Sequence, residues 1–278
     1  MNVSAVLATF DLLNLQSTDD DRHHRLVASP ELCTPFGFLY GGAGIAGSIE
    51  AAEKATDRPL MWITTQFIGR PAPGDVVDLR VEIPAYGRAT TQAQVTGMVG
   101  ERPVFTSLCA HTQRPDGDEV NFLTMPDVPG PAACSPMDSP FTDVVAGSFF
   151  DALERRTARG RVGLAAIGNP QPDGLAIWCR IADQQVGSPA TQAFVADIVP
   201  LALSAALGVA PGGTSIDNTI RVVDTRPSEW VLLELIPQGH QRSLGHGSVR
   251  MWSEDGRLLG TAQQTCIVRT SHHARRAS

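Results

Sequence analysis

Two stretches of this chain follow one pattern, a helix and then four strands, and few folds can be built that way. The first runs from a helical stretch at 44–56 through strand-like segments at 61–68, 75–83, 89–99 and 103–111. The second runs from an apolar helical stretch at 191–208 through 214–222, 229–236, 245–252 and 257–268. Alternation, Thr/Val/Ile content and the turn residues at 70–75, 86–88 and 100–103 make the first set an antiparallel meander. At an offset of about 154 residues the halves align with a slip or two. Helix 44–56 then falls near 198–210, Pro73-Gly74-Asp75 near Pro227-Ser228-Glu229, and Gly100-Glu101-Arg102 near Asp255-Gly256-Arg257. Such a duplication predicts an α+β fold in which two sheets join edge to edge and bury both helices, as a homodimer of single units would.

The expected organisation is an N-terminal unit over 1–115, a linker over 116–140 rich in proline, glycine, serine and aspartate, a C-terminal unit over 141–270, and a disordered tail at 271–278. Within it, 141–159 reads as a helix or irregular chain and 175–181 as a strand. The polar run 17–24 reads as a solvated turn.

The stretch 191–208 is apolar on nearly every side, so it should be buried as one helix. Asp197 lies in its middle. A buried carboxylate costs several kcal/mol unless donors surround it or it stays protonated, which makes Asp197 a candidate functional acid. The alternative is a structural acid bonding backbone groups that Pro200 leaves open. Glu50, four residues before Lys54, has the spacing of a solvated surface pair.

Composition narrows the function. With 278 residues, 42% hydrophobic and 18% charged, the chain can form a substantial globular core. A net charge of −7 argues against nucleic acid or an anionic membrane as partner. No apolar run is expected to span a membrane, and the start lacks a signal-peptide pattern, so the expected location is the cytoplasm. Five cysteines without a CxxC pair read as buried free thiols, with neither disulfides nor a zinc site. His23 and His24 lack a third ligand at workable spacing. No metal is expected.

A sheet-wrapped helix repeated in tandem resembles the hotdog fold in its double form. More specifically, the motifs at 37–43 (GFLYGGA), 69–75 (GRPAPGD), 215–219 (SIDNT), 229–233 (EWVLL) and 255–264 (DGRLLGTAQQ) resemble, in order, landmarks of acyl-coenzyme A thioesterases of the thioesterase II type. The resemblance covers about Thr34 to Arg269. It implies that an acid on the second helix, a hydroxyl on the next strand and a glutamine on the last strand hold the attacking water. The matching positions are Asp197, Ser215 and Gln264. Where the family commonly reads GlyGlyGln, this chain has Ala43.

The resemblance implies an acyl-coenzyme A substrate, coenzyme A entering only as part of it, with no separate cofactor. Backbone N–H groups near Gly41 and Gly42 would polarise the thioester carbonyl. Asp217, two residues beyond Ser215, would share its face of the strand. Arg70, Arg88, Arg221, Arg226 and Arg242 are candidates for the phosphates. Shifted back by the repeat, the three site positions land near Ala43, Met61 or Trp62, and Cys109, so one reactive centre per chain is expected. Association of outer sheet faces would give a homo-oligomer. A non-catalytic acyl-binding protein is the alternative. A hotdog hydratase is disfavoured, since no histidine lies in either central helix or the strand after it.

Overall fold

The computed structural model describes residues 9–113, 117, 119–137 and 147–269; the expected tail at 271–278 lies outside them. After a 3-10 turn at Asp11–Leu13, the chain forms β1 (Gln16–Ser17), β2 (His23–Val27), α1 (Gly41–Thr56), β3 (Leu60–Phe67), β4 (Val76–Tyr86), β5 (Thr90–Val99) and β6 (Arg102–Thr112). Then come β7 (Ser135–Pro136), β8 (Leu153–Arg159), β9 (Leu175–Ile181), α2 (Pro189–Ala196), α3 (Val199–Leu207), β10 (Thr214–Val222), β11 (Val231–Gln241), β12 (Leu244–Ser253) and β13 (Leu258–Ile267). All thirteen strands form one antiparallel sheet in the order β1-β2-β4-β5-β6-β3-β10-β13-β12-β11-β9-β8-β7. The halves meet at β3 and β10, where Thr64 and Thr219 share a hydrogen bond of 2.9 Å. This is the double hotdog arrangement, class α+β.

Each half-sheet wraps its own helix, and α1 packs against α2. That enclosure overrides the charge pattern on α1. Glu50 and Glu53 are 5% and 3% exposed, against the expectation of a solvated Glu50 paired with Lys54. Glu50 accepts the Phe10 N–H, and Glu53 accepts the Leu60 N–H at 2.9 Å. Burial lifts both acids, Glu53 to about 7. A local i,i+4 spacing is a weak signal once strands and a second helix enclose the helix.

Other departures have equally local causes. The run at 17–24 holds the expected exposed turn at 19–22, but its ends belong to β1 and β2, where His23 pairs with Asp78 at 2.7 Å. Residues 153–159, expected as helix or irregular chain, form β8 because they pair with β9. The proline-rich stretch before β8 is docked on the sheet. Leu123, Met125 and Val128 pack on Trp178, Trp230 and Trp252, and the Trp178 indole donates to the Pro129 carbonyl at 2.8 Å. By length and composition Pro189–Leu207 passes for a membrane span, contrary to expectation, but 72% of it is buried inside the protein, as in a core element. All five cysteines are free.

Candidate active site

The second central helix is two helices. α2 starts at Pro189 with Ser188 capping the Thr191 N–H, and ends at Ala196. α3 begins at Val199 and stops at Gly208, whose φ of +64° suits glycine. Between them Asp197 (φ −82°, ψ 49°) and Ile198 (φ −126°, ψ 15°) leave helical geometry. Pro200 accounts for the break: it has no N–H for the Ala196 carbonyl, and its ring crowds that turn. The interruption swings the Asp197 side chain out of the helix line toward the N-terminus of α1.

Asp197 is 7% exposed and held by donors from three elements. Asn218 on β10 donates from Nδ2 to Oδ1 at 2.9 Å, and Gln264 on β13 donates from Nε2 to the same oxygen at 2.5 Å. The Gly42 backbone N–H also donates to the carboxylate. Burial dominates all the same and raises the pKa to about 7, the three hydrogen bonds working the other way. Oδ2 lies against Gly41, where a Cβ would stand 2.5 Å from Oδ2 and 2.8 Å from the Phe67 ring. Only glycine permits that approach.

Gln264 Nε2 also donates to Ser215 Oγ at 2.6 Å, so acid, hydroxyl and amide form one cluster. The register explains which neighbours join it. A bulge between Ser215 and Asp217 pairs Ser215 with Cys266 and Asp217 with Thr265. One extra residue reverses the alternation, so Asn218 and not Asp217 follows Ser215 on the inner face. Asp217 instead accepts the Thr265 N–H at 2.7 Å and does not line the cavity, contrary to the period-2 expectation.

A cavity of about 270 Å³ opens over Asp197 and Ser215. Gly41 lines it; Gly42 does not, its N–H being spent on Asp197. Of the five candidate arginines, Arg70 alone lines the cavity, at the exposed end, with its guanidinium 5.1 Å over the Phe38 ring and donating to Thr214 Oγ1 at 2.9 Å. Arg226 is paired with Asp224 and Glu119 on the surface. The walls are apolar and aromatic. Tyr40 stacks on Phe149 with ring centroids 3.8 Å apart and donates its hydroxyl to the Phe194 carbonyl at 2.9 Å. Among the described residues Asp197 is the sole carboxylate at the cavity, no histidine lines it, and no group of three or more His, Cys, Asp or Glu could hold a metal.

The first half has a matching position without the acid. Thr65 pairs across β3 and β6 with Ser107, as Asn218 pairs with Gln264 across β10 and β13. Thr65 and Ser107 share a 2.8 Å hydrogen bond, and Ser107 donates to Ser48 of α1 at 3.4 Å. The counterparts of Asp197, Asn218 and Gln264 are thus Ser48, Thr65 and Ser107, where the offset had indicated Ala43 for Asp197 and Cys109 or its neighbours for Gln264; for Ser215 the register gives Ile63, beside the Met61 or Trp62 indicated. Ser48, Thr65 and Ser107 are fully buried hydroxyls. Sequence reasoning missed Asn218, which stands inside the SIDNT motif but behind the bulge. It also missed Tyr40 and Arg155, an arginine of β8 that lines the cavity.

Comparison with known proteins agrees with this fold. The acyl-CoA thioesterase N-terminal domain model matches residues 30–112, and the acyl-CoA thioesterase C-terminal domain model matches 131–268. A structure from Novosphingobium aromaticivorans DSM 12444, provisionally a thioesterase, is 28% identical with a TM-score of 0.79, over 92% of this chain and 98% of that one. A hot-dog-fold protein of unknown function from Alicyclobacillus acidocaldarius is 19% identical with a TM-score of 0.83, over 95% and 99%. An acyl-CoA thioesterase II from Mycobacterium marinum is 15% identical with a TM-score of 0.71, over 93% and 96%, and shares the fold. Among curated proteins, none matches.

Proposed function

The chain belongs to the acyl-CoA thioesterase family, a family of thioester-hydrolysing enzymes, and from that premise we propose that it cleaves acyl-coenzyme A with a water held by Asp197 and Ser215. The observation that carries this reading is the division of labour on one carboxylate. Asn218 and Gln264 occupy Oδ1, while Oδ2 is left beside Gly41 at the cavity. A base held this way keeps its orientation, and on Oδ2 no side-chain donor among the described residues competes with an incoming proton.

The reaction is RCO–S–CoA + H2O → RCOO⁻ + CoA–SH + H⁺. Oδ2 of Asp197 takes a proton from water as the water oxygen attacks the thioester carbon. The C–S bond then breaks, and the proton passes to the departing thiolate. With a pKa near 7, Asp197 is matched to both steps at neutral pH. Ser215 Oγ accepts from Gln264 and retains its own proton to orient the water or meet the developing oxyanion. No acyl-enzyme is required: among the described residues no cavity histidine stands ready to activate Ser215. Asp197 alone supplies too few ligands for a metal. Arg70 at the exposed end would meet coenzyme A phosphates.

The test is thiol release from a panel of acyl-coenzyme A substrates by wild type and Asp197→Asn. Hydrolysis lost in the variant is expected. Unchanged turnover would remove Asp197 from the chemistry, and binding without turnover by the wild type would point to an acyl carrier.

A further inference from the structure

β8 carries Leu153, Arg155 and Thr157 on its inner face, so an arginine stands where the wall of the apolar cavity needs a hydrophobe. Arg155 pairs in register with Cys179, which also faces the cavity, and its guanidinium lies 4.1 Å over the Phe150 ring. Its Nε is sealed from solvent with no hydrogen-bond partner, and among the described residues the guanidinium makes no ion pair. The neighbouring outward arginines on the same layer differ: Arg156 and Arg180 both pair with Glu154.

A guanidinium part-buried in an apolar wall is normally paired. The carboxylate acting on Arg155, that of Asp151, does so only through space and forms no ion pair with it. One ring face compensates only part of the cost. Burial holds Arg155 down to about 10, so it remains a cation at neutral pH. Coenzyme A phosphates are already matched by Arg70 at the exposed end, and a polyphosphate would not shed its water among Phe149, Leu153 and Ile177. What fits an unpaired guanidinium on an acyl-pocket wall is a single planar anion carried by the acyl group.

We propose that Arg155 is a specificity-determining residue that selects acyl groups ending in a carboxylate, so that the preferred substrates are mono-coenzyme A thioesters of dicarboxylic acids. This rests on the thioesterase reading above and deepens it. Hydrolysis then releases the free dicarboxylate and coenzyme A, with the distal carboxylate unchanged throughout.

The test compares kcat/KM for adipoyl- against hexanoyl-coenzyme A and for suberoyl- against octanoyl-coenzyme A, in wild type, Arg155→Met and Arg155→Lys. Wild type should favour the carboxylated member of at least one pair. Arg155→Met should cut that ratio by about 30-fold or more, mainly through KM, while still hydrolysing the uncharged member. Arg155→Lys should keep part of the preference, and decides the matter if the methionine variant fails to fold. Wild-type preference for the uncharged member in both pairs overturns the proposal, as does an equal loss on both members in Arg155→Met. A preference for ω-hydroxyhexanoyl- over adipoyl-coenzyme A also overturns it, since that shows a hydrogen bond without charge pairing. Hydrolysis of uncharged thioesters alone removes only this inference; hydrolysis of none removes the thioesterase reading and this one with it.

Discussion

Replacing Asp197 with asparagine should separate stability from activity, because burying this acid, the base in our proposal, comes at a cost to the fold. Its pKa is about 7 in the folded protein against an ordinary 3.8, burial outweighing the donors from Asn218, Gln264 and Gly42. A folded value above the unfolded one fixes the sign. The contribution of this group to stability is full below pH 3.8 and is lost as pH rises through about 7. Across that interval, at 1.36 kcal/mol per pH unit, the loss is at most about 4 kcal/mol. Asparagine has nothing to ionise. Its Oδ1 can accept from Asn218 and Gln264 as the carboxylate does, and exchanging a charged acceptor for a neutral amide weakens the hydrogen bond from Gly42 N–H, at a cost of about 1–3 kcal/mol at every pH.

Urea unfolding of both proteins from about pH 5 to about pH 9 should therefore give a stability difference that moves in the variant's favour by a few kcal/mol up to about pH 8 and then levels. Over the same range kcat should fall by about 10²–10⁴, the usual contribution of a general base. A flat difference curve would refute the claim that Asp197 is strained by burial. Retained kcat would refute its role.

The other predictions follow from the packing around that acid. Gly41→Ala pushes a methyl group to 2.5 Å from Oδ2 and should lower kcat at least tenfold while costing about 1–3 kcal/mol in a thermal melt. Asn218→Ala removes a donor that favours the charged form, so the midpoint of the kcat/KM pH profile should move upward and activity lost at pH 7 should return in alkali; a profile that drops without shifting contradicts this. Ser48→Ala and Ser107→Ala should leave turnover of acyl-coenzyme A unchanged, at a stability cost of about 1 kcal/mol each, because the first half supplies no reactive acid. A tenfold loss in either variant would mean two centres per chain.

The parts of this molecule that could be read from the sequence are those where one local rule governs many residues. Alternation over ten or so positions fixed β5, β6, β12 and β13 to within a residue or two, and repetition of that pattern joined the halves correctly. What escaped are single-residue exceptions. The bulge at Ile216 has no compositional signature, yet it exchanges Asp217 for Asn218 beside the acid. Glu50 carries the spacing of a surface residue and is buried, its carboxylate taken up by the Phe10 N–H forty residues earlier. β8 reads LERRTAR, in which the inward positions include a cation, so its alternation looks unlike that of a core strand. Pro200 marked backbone groups left open in a stretch that reads as one helix, but the break itself and what it is for show only in the packing of α1 against α2: it brings a C-terminal acid to an N-terminal amide. The exceptions are not scattered. The break, the bulge and the inward arginine all border one cavity. A chain selected only for stability would have no reason to gather its violations there, whereas a site that must hold one carboxylate reactive and one guanidinium unpaired has to set local rules aside at those places.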